Sequence, residues 1–177
     1  MWRIRADQVG RDSLEAISLS YNGGKDCLVL LILLLCALHN HSTPLPPRLQ
    51  TVYIISPHPF AEVTSFVESS STHYSLALSE YKMPMREAFE RYLEDKEGKV
   101  KAILVGTRRT DPHGEKLTFF DETDGLWPRF MRVHPVIDWH YREIWGVSTV
   151  FLLSAGCKGY WEGGERKKLT YISSLDI

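Results

Sequence analysis

The stretch from Leu14 to Asn40 constrains the fold of this chain more than any other. An apolar strand candidate, Ile17 to Ser20, runs into Tyr21-Asn22-Gly23-Gly24-Lys25-Asp26 and then into the long apolar segment Leu28 to Leu38. That order predicts a strand, a glycine turn and a helix. A turn between a buried strand and a buried helix needs a positive φ, and glycine also lacks the Cβ that would keep another group off the backbone. A helix beginning near Lys25 aims its unpaired N–H groups and the positive end of its dipole at the turn, worth about 0.3 to 2 kcal/mol toward an anion. Phosphate suits this geometry, and Lys25 adds a mobile full charge. Taken alone, Gly23-Gly24 is better explained by a tight connection followed by a solvated lysine; the seven consecutive residues Ser20 to Asp26 favour the phosphate reading.

The 177 residues suit one domain with a sizeable core. A net charge of -1 offers no electrostatic argument for a nucleic-acid or membrane surface, so specificity has to come from sites. Cys27, Cys36 and Cys157 are odd in number and form no Cys-x-x-Cys pair, which indicates neither a disulfide framework nor a zinc knuckle. A reduced, cytoplasmic setting is the default expectation. The run Leu28 to Leu38 holds about eleven residues, short of the ~20 that span a bilayer, and reads as a buried helix. The N-terminal residues Trp2, Arg3, Arg5 and Asp7 show no apolar signal region.

Along the chain, residues 1 to 13 are mixed and polar, with a helix start near Asp12. The helix from Lys25 to His39 is apolar almost all round, as expected of a helix laid on a sheet and covered on its other side. A proline-rich loop follows (Pro44, Pro46, Pro47), and His39 and His41 there read as solvated in preference to a metal pair. Thr51 to Ile55 is a second strand, stopped by Ser56-Pro57. Phe60, Val63, Phe66 and Val67 mark a helix face; Tyr74 to Leu78 is a weaker strand. Met83-Pro84-Met85 opens a helix reaching Leu93, and Val100 to Val105 is a fourth strand ending at Gly106. Strands alternating with helices imply βαβ units and a parallel sheet whose ligands bind at the carboxyl ends of the strands. That edge carries Gly23-Gly24, Ser56 and Gly106.

Directly after the fourth strand stands Gly106-Thr107-Arg108-Arg109-Thr110-Asp111-Pro112, and later Thr123-Asp124-Gly125-Leu126-Trp127-Pro128-Arg129-Phe130-Met131-Arg132. Arginines bind phosphate oxygens through paired donors, and a neighbouring carboxylate can hold Mg²⁺. Arg108, Arg109 and Asp111 therefore suit a nucleotide, while a surface salt-bridge patch fits one Arg-Arg-x-Asp as well. Trp127, Pro128 and Phe130 are candidates for a rigid wall against a planar ligand.

The glycine turn fits neither the Walker pattern nor G-x-G-x-x-G. It resembles the PP-loop of ATP pyrophosphatases, with Cys27 in the last position. Together with Gly-Thr-Arg-Arg-Thr-Asp-Pro and Thr-Asp-x-x-Trp-Pro-x-Phe-x-Arg-x-x-Pro-x-x-Asp-Trp, it resembles eukaryotic-type FAD synthases, the FMN adenylyltransferases of the PAPS-reductase-like family, over Leu14 to Trp145. The resemblance implies a three-layer α/β/α fold with a Rossmann-like, mostly parallel sheet. It implies transfer of AMP from ATP to FMN, giving FAD and pyrophosphate, with Mg²⁺ held at Asp26 and Asp111. Asn22, Gly23, Gly24, Lys25 and Asp26 would hold ATP phosphates beside Ser20 and Gly106. Ile54 and Ser56 would lie near the adenine, Arg108 and Asp111 at the reaction centre with Arg109 nearby, and Asp124, Trp127 and Arg132 in the flavin site. The expected partners are these small molecules, with the chain acting as a monomer.

The family pattern ends near Trp145, which divides the chain into residues 1–145 and a non-matching segment, 146–177. Val147 onward is expected to be an alternative or misread C-terminus, and Gly163-Gly164 a turn in place of a second phosphate loop. Two rivals follow: a catalytically impaired nucleotide-binding fragment, and a PAPS reductase. The latter needs a cysteine in a Glu-Cys-Gly context, whereas Cys157 stands in Gly-Cys-Lys.

Overall fold

The computed structural model describes residues 14–40 and 46–154. A single 3-10 turn, Leu14–Ala16, leads into β1 (Ile17–Ser20), followed by α1 (Lys25–Asn40), β2 (Leu49–Ile54), α2 (Ala61–His73), β3 (Leu76–Tyr81), α3 (Met85–Asp95), β4 (Ala102–Leu104), β5 (Phe120–Glu122), β6 (Met131–Val133) and α4 (Tyr141–Ser154). The strands form one sheet in the order β3-β2-β1-β4-β6-β5, parallel throughout except for the antiparallel β5–β6 pair. Strand order runs outward from β1 to β3 and then reverses with β4 on the other side of β1. The switch point lies between β1 and β4, and their carboxyl ends flank one crevice.

The period of two along each strand sorts the core onto two faces. Leu19, Leu49, Tyr53 and Leu104 join Val29, Leu30, Leu31 and Leu34 of α1 and Ile144 of α4 in one buried cluster. Val52 and Ile103 turn the other way, onto Ala88, Phe89 and Tyr92 of α3 and onto Phe130. α1 is buried on several sides because the sheet lies under it and α4 covers it, which accounts for its nearly continuous apolar sequence.

The expected strand β1 and the start of α1 coincide with the observed ones. The third strand begins two residues later than the sequence reading, because α2 runs on to His73. Ser69, Ser70, Ser71 and Thr72 donate their hydroxyls back to carbonyls of Phe66, Val67 and Glu68 one turn earlier, which satisfies these hydroxyls within the helix. β5 and β6 were not expected. The proposed helix start near Asp12, His41 and Gly163-Gly164 lie outside the described residues. α4 continues through the expected boundary at 145 to Ser154.

Two local devices fix the crevice. Gly23 has φ +74°, and a Cβ there would meet Val67 Cγ2 at 2.8 Å, so the turn is seated against α2. Tyr21 strengthens that seat by donating its buried hydroxyl to Ser70 Oγ at 2.8 Å. On the other side of the sheet, His134 follows β6 and is 1% exposed. Its backbone N–H donates to Phe119 O at 3.0 Å, and its Nδ1 lies 3.0 Å from Thr118 O. A carbonyl only accepts, so Nδ1 carries the proton and the neutral ring keeps its lone pair on Nε2. Burial lowers the pKa of His134, outweighing the Thr118 hydrogen bond and Asp121.

Gly23→Ala should lower stability by about 1–2 kcal/mol from the left-handed backbone alone, and more where Val67 cannot shift; a lowered midpoint in urea unfolding checks this. His134 supplies a pH dependence. Below about pH 6.5 the unfolded chain binds a proton that the buried ring refuses, so stability is full above that value and falls as pH drops toward the lowered native pKa. His134→Gln should flatten this part of the urea-midpoint profile between about pH 7.5 and 5.

Candidate functional site

The first turn of α1 begins at Gly24, whose carbonyl accepts from Leu28 N at 3.0 Å. Asn22 Oδ1 takes the Gly24 N–H at 2.9 Å and shapes the loop. The loop after β4 passes directly against this turn. A Cβ on Gly106 would stand 3.2 Å from Asp26 Cβ and 3.4 Å from Cys27 N, so only a glycine fits without displacement. The two strand ends at the switch point are thereby in contact.

Charged side chains connect them. Lys25 Nζ lies 2.8 Å from Asp26 Oδ2, Asp26 Oδ1 lies 3.2 Å from Arg108 Nε, and Arg108 Nη2 donates to Asp111 Oδ1 at 2.9 Å. Asp111 Oδ2 also accepts the backbone N–H of Arg108 at 2.8 Å, closing a tight loop. The Asp26–Arg108 contact is an ion pair whose geometry makes no hydrogen bond; both facing atoms are buried without a hydrogen-bond partner. The cluster is formally neutral, with two cations against two carboxylates. Asp26 and Asp111 contact the same guanidinium, and Asp26 Oδ1, which has no hydrogen-bond partner, is the oxygen suited to a hard cation. Lys25 does not line the crevice; its ammonium sits 5.5 Å from the centre of the Tyr141 ring.

A cavity of about 540 Å³ opens from this cluster along the carboxyl edge. Ser20, Asn22, Gly24 and Asp26 line one end, Gly106 and Asp111 the middle, and Asp124, Trp127 and Arg132 the far end; Ile54 also borders it. Phe89 and Phe130 form an aromatic wall with ring centres 5.1 Å apart, and Trp127 stands 6.4 Å from Phe89. Thr123 braces the loop carrying Trp127: its hydroxyl donates to Pro128 O at 2.7 Å and accepts from Phe130 N at 3.2 Å. Arg132 Nη2 donates to Glu122 O at 3.2 Å, and its buried Nε has no hydrogen-bond partner.

Five expected residues lie outside the cavity lining: Gly23, Lys25, Ser56, Arg108 and Arg109. Ser56 is exposed beyond Ile54. Arg109 turns away from Arg108: Nε donates to Asp138 Oδ1 at 2.7 Å, and Nη1 donates to Leu117 O at 2.8 Å and Glu115 O at 3.1 Å. Its guanidinium pins the loop between β4 and β5. Phe89 and His134 line the cavity without having been singled out. Phe89 belongs to the apolar stripe Ala88, Phe89, Tyr92 of a helix that starts at the ligand edge, a signal present in the sequence; His134 carried none, because β6 was not recognised.

No group here is set up as a nucleophile. Burial pushes the Cys27 thiol up to about 11, so it stays protonated, and Cys36 is exposed outside the lining. The arrangement offers backbone donors and paired charges at one end of the cavity and an aromatic wall at the other.

Comparison with known proteins places the chain in a family. The model of the phosphoadenosine phosphosulfate reductase domain matches residues 16–97 and 83–149. The probable FAD synthase of Schizosaccharomyces pombe is 38% identical over 135 residues, covering 74% of this chain and 51% of that protein. The flavin adenine dinucleotide synthase of Saccharomyces cerevisiae is 37% identical over 150 residues, covering 73% and 48%. The crystal structure of Candida glabrata FMN adenylyltransferase in complex with FAD and inorganic pyrophosphate superposes with a TM-score of 0.75 at 39% identity, over 86% of this chain and 52% of that one. The chain spans about half the length of these relatives. With a family model matched from β1 into α4, over most of its length, this chain belongs to the phosphoadenosine phosphosulfate reductase domain family.

Proposed function

We propose that this chain carries the nucleotide- and flavin-binding core of an FMN adenylyltransferase, which transfers AMP from ATP to FMN and yields FAD and pyrophosphate. The observation that carries the reading is the unbroken cavity from the α1 start to the aromatic wall, with Asp111 and Gly106 between them. The FAD synthase relatives and the Candida glabrata enzyme bound to FAD and pyrophosphate support it.

An oxygen of the FMN phosphate attacks the α-phosphorus of ATP, the bond to the β-phosphate oxygen breaks, and pyrophosphate leaves. The attacking oxygen is already anionic, so alignment and charge neutralisation replace a strong base. The helix start and the Gly24 loop hold the β- and γ-phosphates. Lys25 leaves Tyr141 for the polyphosphate, and Arg108 turns its guanidinium from the two aspartates toward the α-phosphate. Magnesium fits Asp26 and Asp111 and when bound supplies neutralisation of the polyphosphate charge. Ile54 and Ser56 border the adenine; Asp124, Trp127 and Arg132 hold the flavin.

The adenylyltransferase unit is residues 1–145 in this reading; the family match to residue 149 and the continuity of α4 favour extending it along the helix. The expected setting is a monomer in the cytoplasm. Among the described residues, no helix is long and apolar enough to cross a membrane. A second reading, a nucleotide-binding fragment impaired in catalysis, is favoured by one fact: the chain matches only about half of its relatives. A reductase reading is weakened by the buried, protonated Cys27; Cys157 lies outside the described residues.

Incubating the purified chain with ATP, Mg²⁺ and FMN should produce FAD and pyrophosphate in equal amounts, followed by chromatography. ATP binding without FAD would support the impaired fragment, and sulfite from PAPS with a thiol donor would support the reductase. Asp111→Ala should reduce FAD formation by about 100-fold or more, on the scale of losing one preorganised electrostatic partner; undiminished turnover would remove Asp111 from the reaction centre.

A further inference from the structure

The far end of the cavity holds His134, a polar group without a role so far, beside Arg132. Arg132 pairs in register with Ile103, whose side chain is buried on the α3 face among Phe89 and Phe130. His134, two residues on, shares that face by the alternation of an extended chain, so both approach the aromatic wall from the same side. Arg132 presents a buried Nε–H without a hydrogen-bond partner. His134 has spent Nδ1–H on Thr118 O and lines the cavity, which leaves Nε2 as a lone-pair acceptor. A donor beside an acceptor, next to a flat apolar wall, is complementary to one edge of a planar ring: a carbonyl adjacent to an N–H. An imide has that edge, and the isoalloxazine of a flavin carries one; a polyol hydroxyl would have no use for the aromatic faces.

We propose that His134 is a specificity-determining residue of the flavin end, its Nε2 accepting the imide N–H while Arg132 Nε–H donates to a neighbouring ring carbonyl. This inference rests on FMN being the ligand there, and it adds the edge of the ring that is read and the residue that reads it. Asp124 is the competing acceptor, but it is exposed on the loop of Trp127, where water competes for its hydrogen bonds. Desolvated, the imidazole discriminates more strongly, because an unfulfilled buried acceptor is costly. The charged groups around His134 are Asp121, 3.5 Å from Nδ1, and Arg132, with Asp111, His113 and Asp124 across the cavity.

The test compares dissociation constants of FMN and its N3-methyl derivative by flavin fluorescence with the full chain, from about pH 7.5 to 5. Wild type should prefer FMN by about tenfold or more at the upper pH. The preference should shrink as pH falls, because a protonated imidazole cannot accept. The phosphate is common to both probes, so its own titration cancels in the ratio. His134→Gln, which retains an acceptor oxygen, should keep part of the preference and lose its pH dependence; His134→Ala should lose the preference while still binding ATP. If His134→Ala binds neither ATP nor flavin, the pH profile of His134→Gln decides: a flat one supports the assignment, and an unchanged slope overturns it. Equal affinities in wild type, a preference surviving in His134→Ala, or one abolished only by Asp124→Asn would overturn the assignment and leave the FMN reading intact. A wild-type chain that binds ATP but no FMN would overturn both.

Discussion

Asp26 and Arg108 face each other at 3.2 Å across the junction between α1 and the loop after β4, and neither facing atom has a hydrogen bond to offset its burial. A buried ion pair of this kind contributes little net stability, because desolvation cancels much of the attraction, yet removing either partner leaves an uncompensated charge. Its value here is positional. It holds the carboxyl ends of β1 and β4 together at the switch point, and the close approach of Gly106 to Asp26 is the steric condition for it. The same pair is left under-satisfied, with Asp26 Oδ1 and Arg108 Nε lacking hydrogen-bond partners. An interaction poorly satisfied in the free protein is where binding free energy is most readily recovered, and local rules of satisfaction are expected to fail at such places.

Behind this polar junction lies apolar packing that holds the helix start in place. α1 is pressed between the sheet and α4, so its N-terminus cannot tilt without exposing Leu30 and Leu31, both fully buried. The orientation of the helix dipole is therefore set by core packing more than by the loop it serves. α4 contributes at its own start as well, where Tyr141 and Trp145 stack edge to face and the Tyr141 ring receives the Lys25 ammonium at 5.5 Å. A cation over a partly exposed ring is held by only about 0.5–1 kcal/mol, weak enough for phosphate to displace it.

The elements that could be read from the sequence are those whose signals are local. Ile17 to Ser20, the glycine turn and the apolar helix each declare themselves within a few residues, and they carry half of the candidate site. β5 and β6 are three residues each and contain Asp121, Glu122 and Arg132; they exist because Asp121 pairs with Arg132 across the hairpin and β6 pairs with β4 from far along the chain. No window of sequence contains that information, so His134 was invisible along with them. Arg108 and Arg109 show a finer limit. Identical neighbours in sequence point to opposite destinations, one into the Asp26–Asp111 cluster and one onto Asp138 and two carbonyls, and only the path of the loop decides which is which. The extra length of α2 accompanies tertiary anchoring, with Val67 in the core and Ser70 accepting from Tyr21, where propensity alone assigns the serine and threonine run to a turn.

The two ends of the cavity use opposite physics, and the sheet sets the distance between them. At β1 the groups are backbone donors and compensated charges, suited to an anion that arrives with its own counterion. At β6 they are aromatic faces and two directional polar atoms in a desolvated corner, suited to a ring that arrives with little charge. β4 lies between, and two strand spacings of about 4.8 Å separate the phosphate loop from β6 by roughly 10 Å. A ligand answering both ends must therefore carry phosphate and ring apart, joined by a linker of that reach. Neither a bare nucleoside nor inorganic polyphosphate does so, whereas a ring carrying its phosphate on a short polyol, set beside a second nucleotide, does.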